Sequence, residues 1–396
     1  MKFAFYANTD WYLYNFRLST ARELQAQGHE VVMLSPPGDF GARFAQHGFR
    51  WVPLSMMDRA SLNPLRETRT LMELTRVLRR ERPHLLHNFT VKCAVYGALA
   101  ARPAGVPAVV NAVAGLGYVF TSNAPLARTL RPVVKQLMRL TLGSGNARVV
   151  LQNPDDAEVM TQQRLVPAER IRVIRSSGVN TTRFVPVQRD AEPSRLRVLL
   201  AARLLWEKGV GEYVEAARRL RLQGRDIEFL LAGTPDPGNP RSVKQAEVEA
   251  WAREGVVRWL GHVDDMPTLM RSVDVMVLPS YYREGVPKSM IEAAACGLAL
   301  ITTDLPGCRE VVREHGVDGL HVQPRNAAQL AEQIALLDDD RALLRRLGVR
   351  ARERALSEFD ERIVIGRTLE VYAELLGPGA AFAPAGAGVG VGLAQR

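Results

Sequence analysis

The chain has 396 residues, of which 47% are hydrophobic and 24% charged, with a formal net charge of +10. That length points to two or three domains with sizeable cores, and the composition excludes a disordered or fibrous chain. The three cysteines, Cys93, Cys296 and Cys308, form neither a CxxC pair nor a metal-ligand spacing, which argues against a disulfide framework and fits a reducing compartment.

The first apolar run, KFAFYA (2–7), breaks at Asn8–Asp10, too early for a secretory signal. No window approaches 18 uninterrupted apolar residues, so no transmembrane helix is expected and a cytoplasmic location follows as an expectation. NTDWYLYNFR (8–17) reads as an aromatic-rich loop, in which Trp11, Tyr12 and Tyr14 stack on a sugar, press into lipid headgroups or pack on the helix that follows. Further runs, EVVMLS (30–35), HLLHNF (84–89), AVVNAV (108–113) and ARVVLQ (147–152), alternate with helical periodicity at 17–27, 65–82 and 126–142. Buried parallel strands joined by crossover helices give this rhythm.

The basic charge is uneven. Residues 1–190 carry 25 Lys and Arg against 13 Asp and Glu, and the remainder carries 27 against 29. Within 59–148 the balance is 14 basic to 3 acidic. This asymmetry points to an anionic partner: a membrane, a nucleic acid or a phosphorylated substrate. In the segment 124–142, helical spacing puts Leu126, Leu130, Val133, Leu137 and Leu140 on one face, and Arg128, Arg131, Lys135 and Arg139 opposite. Two readings stay open: a crossover helix with its apolar face in the core, or a basic amphipathic helix against anionic headgroups.

VPVQRDAEPSR (185–195) is polar and reads as a linker. The strand rhythm then restarts with RVLLAA (197–202), EFLLAG (228–233), VVRWLG (256–261), DVMVLP (274–279) and ALITTD (299–304). The expected fold is α/β: two doubly wound domains, 1–184 and 196–359, facing a cleft, with ligands at the C-terminal strand ends. Residues 360–377 read as a last amphipathic helix, and the Gly-, Ala- and Pro-rich tail 378–396 is not expected to order.

Two stretches carry chemistry. In PSYYREGVPKSMIEAAACG (279–297), Glu284 follows a buried-type strand, and Gly285, Val286 and Pro287 lead into a helix. The free N–H groups at that helix start suit an anion. Glu292 lies about two turns on, on the same face, so the two carboxylates suit a hydroxyl-rich ligand; solvated helix glutamates are the plain alternative. In AARLLWEKGV (201–210), Arg203 and Lys208 sit in a strand-to-helix loop, where they could neutralise a diphosphate or form an ordinary basic loop.

Glu-x7-Glu after a strand ending in Pro-Ser, together with R-x4-K-G after the first strand of the second domain, resembles family 4 of the retaining GT-B glycosyltransferases. ITTDLPGCREVV (301–312) and DGLHVQP (318–324) sit at that family's usual places. The resemblance implies a GT-B fold of two Rossmann-like domains, with the last helix crossing back to the first. It implies a sugar-nucleotide donor, Glu284 on the donor sugar, the backbone of Gly285, Val286, Pro287 and Lys288 along sugar and phosphates, and Glu292 on the ribose. Arg203 and Lys208 would hold the diphosphate without a metal, and LGHVDDM (260–266), with His262, would border the nucleobase. No cofactor is expected.

NFTVK (88–92), AGLGYVF (114–120) and TPDPGNPRSV (234–243) resemble the subgroup that extends polyprenyl-diphosphate-linked sugars in surface glycan assembly. That resemblance implies a lipid-linked saccharide acceptor, a UDP-sugar donor and attachment to the inner face of the plasma membrane. Acceptor-side candidates are Asn111, His87, Arg17, Gly115 and Gly117. Asn111 stands where many members carry a histidine, and an amide takes up no proton at neutral pH; catalysis would then rest on leaving-group stabilisation and positioning. His87, at a strand end, is either structural or in contact with substrate. Two other classes remain: a sugar-nucleotide epimerase of the same fold, and a basic nucleic-acid-binding protein, although no binding motif interleaves aromatics with the basic residues. No strand runs into GxGxxG, which argues against a dehydrogenase.

Overall fold

The computed structural model describes all residues except 59, 60, 62, 116–124, 188–194, 237, 381 and 387–396, and the side chains of 125–128 and 130. Gly117, most of the 185–195 segment, and the side chains of Leu126, Arg128 and Leu130 therefore lie outside the described residues. The chain divides into two compact units, Met1–Gly178 with Glu361–Arg396, and Val179–Asp360.

In the first unit, seven described strands form one parallel sheet: β1 (Lys2–Tyr6), β2 (Glu30–Ser35), β3 (Arg50–Pro53), β4 (Leu85–Phe89), β5 (Ala108–Val113), β6 (Ala147–Leu151) and β7 (Ile171–Val173), in the order β3-β2-β1-β4-β5-β6-β7. Both faces are covered, which is why the inner strands read as unbroken apolar runs. Side chains alternate along β1: Phe3 and Phe5 join the core beneath the helices Asp10–Ala26 and Glu361–Leu376, while Ala4 and Tyr6 join the opposite core. The short edge strands β3 and β7 have no apolar run to announce them.

Three expectations for this unit change. The segment 8–17 is mostly helix, because the Thr9 side chain caps Tyr12 N–H and the helix starts at Asp10. The Asp10 carboxylate accepts from the backbone of Phe40 and Gly41, pinning that start. Tyr12 stacks on Phe16, and Tyr14 packs against Phe40 and Phe44, while Trp11 stays exposed. In the helix Pro125–Thr141 the core face is formed by Val134, Leu137 and Met138, whereas Val133 and Leu140 are 59% and 61% exposed. The stripe assigned to one face is thus split, and part of it faces solvent. Part of the tail is ordered: Phe382 packs near Phe3 and His29, and Ala383 exchanges two hydrogen bonds with the Gln27 amide.

The second unit holds β8 (Leu196–Ala201), β9 (Ile227–Ala232), β10 (Arg258–Gly261), β11 (Val275–Leu278), β12 (Ala299–Thr303) and β13 (Leu320–Val322), parallel in the order β10-β9-β8-β11-β12-β13. Two apolar cores lie on its two faces. The unit starts at Val179 rather than after residue 184. Val179 bridges Asp360, Phe184 joins the second core, and the Arg352 guanidinium donates to the carbonyls of Thr181 and Phe184. The helix Glu361–Leu376 belongs to the first unit, where Tyr372, Leu369 and Ile365 fill its core.

Candidate active site

The carboxyl ends of β8 and β11 meet in the second unit. Gly209, at φ +77°, lets the loop after β8 pass so close to Pro279 that a Cβ would lie 2.3 Å from its carbonyl oxygen. This contact brings Lys208 onto Glu284: Lys208 Nζ donates to Glu284 Oε1 at 2.5 Å. The Ser280 hydroxyl lies 2.8 Å from the same oxygen and 3.0 Å from the Glu207 carbonyl, and it gives its one proton to one of them. Glu284 is 8% exposed, so its charge is compensated within the protein rather than by water. From the other side, Gly307 at φ +84° closes on the Gly285 carbonyl, where a Cβ would sit 2.0 Å away.

Arg203, on the same loop after β8, has a carboxylate partner other than that of Lys208. Its exposed guanidinium donates to Asp236 at 3.1 Å. Asp236 comes from the 234–243 segment, which also backs the loop after β8: Trp206 N–H donates to the Arg241 carbonyl, Val243 N–H to the Leu204 carbonyl, and Arg241 Nη1 to Glu207 at 2.7 Å. The sequence pattern marks that segment but not Asp236 or Arg241 within it, nor Glu207 in the loop after β8. Ser280, part of the Pro-Ser strand ending, was likewise legible as a motif and missed as a contact.

Gly285, Val286 and Pro287 run into the helix Lys288–Ala295. Val286 turns into the core. Glu292 projects from the second turn, and burial pushes its carboxyl up to about 7 against the pull of Lys288 and Arg183. Arg183 carried no signal in the sequence. His262 is exposed and pairs with Asp264 at 3.2 Å, and no contact joins it to Glu284 among the described residues.

In the first unit, Asn111 is a structural residue. It is fully buried, its Nδ2 donates to the Leu142 carbonyl at 3.1 Å, and its Oδ1 accepts from Asn88 at 2.9 Å. On β5 the alternation turns Asn111 away from the face that carries Ala112, so the amide belongs to packing rather than to a strand-end site. Gly115 is buried at φ +86° in the bend that follows. Arg17 and His87 are brought together: both are buried and line one small cavity beneath the strand ends of β4 and β5. His87 Nδ1 lies 2.6 Å from the Tyr372 hydroxyl, a contact spanning 285 residues that no local pattern signals. Burial and the Arg17 charge hold the His87 ring well below the usual imidazole range.

Among the described residues, no group of three or more His, Cys, Asp or Glu side chains could hold a metal ion. All three cysteines are buried and free.

The family model for glycosyl transferases group 1 matches residues 185–354, and that for a glycosyl transferase 4-like domain matches residues 16–176. The chain is similar to the N,N'-diacetylbacillosaminyl-diphospho-undecaprenol alpha-1,3-N-acetylgalactosaminyltransferase of Campylobacter jejuni, 31% identical across 94% of this chain and 98% of that one. It is also similar to the UDP-Gal:alpha-D-GlcNAc-diphosphoundecaprenol alpha-1,3-galactosyltransferase of Escherichia coli, 24% identical across 72% of this chain and 73% of that one. Among solved structures, a glycosyltransferase from Rickettsia africae superposes with a TM-score of 0.76 at 18% identity, covering 95% of this chain and 98% of that chain. The Anabaena protein HepE in complex with UDP and glucose does so at 0.75 and 19%, covering 94% and 99%.

Proposed function

Because this chain belongs to the group 1 glycosyltransferases of the GT-B fold, we propose that it moves a hexose or N-acetylhexosamine from a UDP-sugar to a polyprenyl-diphosphate-linked saccharide, with retention and without a metal. The second unit holds the donor. The observation that carries this reading is the pairing of half-buried Lys208 with buried Glu284 beside the Gly285–Pro287 backbone. A cation and an acceptor carboxylate on one patch suit a diphosphate next to sugar hydroxyls. Lys208 and Arg203 stabilise the departing diphosphate, and Glu292 accepts from the ribose. The departing phosphate takes the acceptor's proton during front-face attack, so no protein base is required.

The acceptor belongs to the first unit. Both named relatives act on diphosphoundecaprenol-linked sugars. The exposed Val133 and Leu140, with Arg139 beside them, suit an anionic lipid surface. No helix among the described residues is long and apolar enough to cross a membrane, and we place the enzyme peripherally on the inner face of the plasma membrane.

The test is incubation with UDP-sugars, undecaprenyl-diphosphate-linked N-acetylhexosamine and EDTA, followed by mass spectrometry of the lipid. A gain of one hexose or N-acetylhexosamine, unaffected by EDTA, is expected. Transfer that needs added magnesium contradicts metal independence, and an epimerised nucleotide formed from donor alone contradicts transfer.

A further inference from the structure

Arg17 is 6% exposed, and no carboxylate pairs with it among the described residues. Its guanidinium donates through Nη2 to the Tyr12 hydroxyl at 3.1 Å and lies 4.5 Å from the centre of the Phe89 ring, while Nε meets no acceptor. A phenol and a ring face compensate a buried guanidinium weakly, and a buried charge without a counterion is costly. Nε of Arg17 and Nε2 of His87 are both buried and unpartnered, and both residues border one cavity of about 10 Å³. That is room for a single oxygen-sized group.

The tautomer of His87 follows from Tyr372. The phenol is buried, and burial raises its pKa, so it keeps its proton. Its hydrogen-bond contact is His87 Nδ1 at 2.6 Å. A buried O–H without an acceptor is disfavoured, so Tyr372 donates and Nδ1 accepts. The ring hydrogen then sits on Nε2, the atom with no partner. Two residues that border the cavity thus each carry an unused N–H donor, one of them charged, and the other polar residues lining it, Gln152, Ser176 and Thr368, carry no negative charge.

We propose that Arg17 and His87 form an oxyanion site in the first unit that binds one phosphate oxygen of the acceptor's diphosphate. This rests on the reading of the acceptor as a lipid-linked diphosphate. Two unused N–H donors on residues that border one cavity, with a guanidinium supplying charge, match a phosphate oxygen better than a neutral hydroxyl. The helix Glu361–Leu376 is part of the site, because Tyr372 sets which His87 nitrogen carries the hydrogen.

Arg17→Met and Arg17→Lys test this, assayed with undecaprenyl-diphosphate-linked N-acetylhexosamine and with inorganic pyrophosphate as competitor. The expected result is a rise in acceptor KM of about tenfold or more for Arg17→Met, partial recovery in Arg17→Lys, and an unchanged donor KM. Pyrophosphate should compete with the acceptor in the wild-type enzyme and lose that effect in Arg17→Met. Competition through this site against the donor instead, or an unchanged acceptor KM in Arg17→Met, overturns the proposal. A second readout needs no turnover and no variant: nitrogen NMR of His87 in the wild-type protein. A shift of its Nε2 resonance with pyrophosphate supports the site, and no shift overturns it. If the wild-type enzyme fails to use the lipid acceptor, the functional reading falls, and the NMR titration still decides the site.

Discussion

Lys208 and Glu284, 76 positions apart in sequence, share a 2.5 Å hydrogen bond at the strand ends of the second unit. The pair defines what each side chain can do. Lys208 is held at a fixed point by a carboxylate that is itself shielded from water, and Ser280 limits how Glu284 can turn.

Breaking the pair should therefore affect stability and turnover together. Lys208→Met leaves Glu284 charged and poorly solvated, at a cost of about 2–3 kcal/mol. Glu284→Gln keeps a group that Ser280 can bond, and the double variant should recover at least half of the summed loss. Urea unfolding of the four proteins measures this coupling. Each single variant should also lose turnover by about 100-fold, through lost charge stabilisation and positioning. Additive stability losses with normal turnover contradict the assignment.

Glu292 gives a pH signature. Its carboxyl is raised to about 7 by burial, above its value in an unfolded chain. The folded state then binds more protons than the unfolded state between those two values. Its stability contribution is full below the unfolded value and is lost as pH rises through about 7. Glu292→Gln should remove this dependence, so that the variant gains on the wild-type protein by on the order of 2–3 kcal/mol from pH 4.5 to pH 8. Donor affinity should rise with pH through the same window in the wild-type enzyme, where the carboxylate forms. Denaturant melts at both pH values decide this, and identical pH profiles for the two proteins refute it.

Asn111 should behave as a packing residue. Asn111→Ala removes the partners of the Leu142 carbonyl and the Asn88 amide, at a cost of roughly 1–3 kcal/mol. Turnover per folded molecule should stay within twofold. A loss of 100-fold or more, with the protein folded, would return Asn111 to the chemistry.

The exposed apolar positions of the helix Pro125–Thr141 should carry lipid binding. Val133→Asp with Leu140→Asp should cut co-sedimentation with vesicles containing phosphatidylglycerol by about fivefold or more, since apolar insertion and attraction to anionic lipid are both lost. Unchanged co-sedimentation would mean that this face does not meet the bilayer.

Much of the fold was legible because buried parallel strands are apolar on both faces: β1, β2, β5, β8 and β12 coincide with apolar runs to within one residue. β3, β7 and β13, three or four residues long, have too little sequence to show a period. The motif around Glu284 was legible because residues close in sequence build it. The pairing of Lys208 with Glu284, and of His87 with Tyr372, depends on how distant strands and helices meet, which one sequence does not encode in any local pattern. Asn111 is a candidate only because it stands where many members of the resembled family carry a histidine, while the alternation along β5 turns its side chain into the packing beneath.

The most direct measurement is calorimetric titration of a UDP-sugar into the wild-type protein and into Lys208→Met. The expected result is one site in the wild-type protein and at least tenfold weaker binding in the variant, because a charge-assisted contact to the diphosphate is lost. Equal affinity in the two proteins would place the nucleotide sugar away from Lys208 and Glu284.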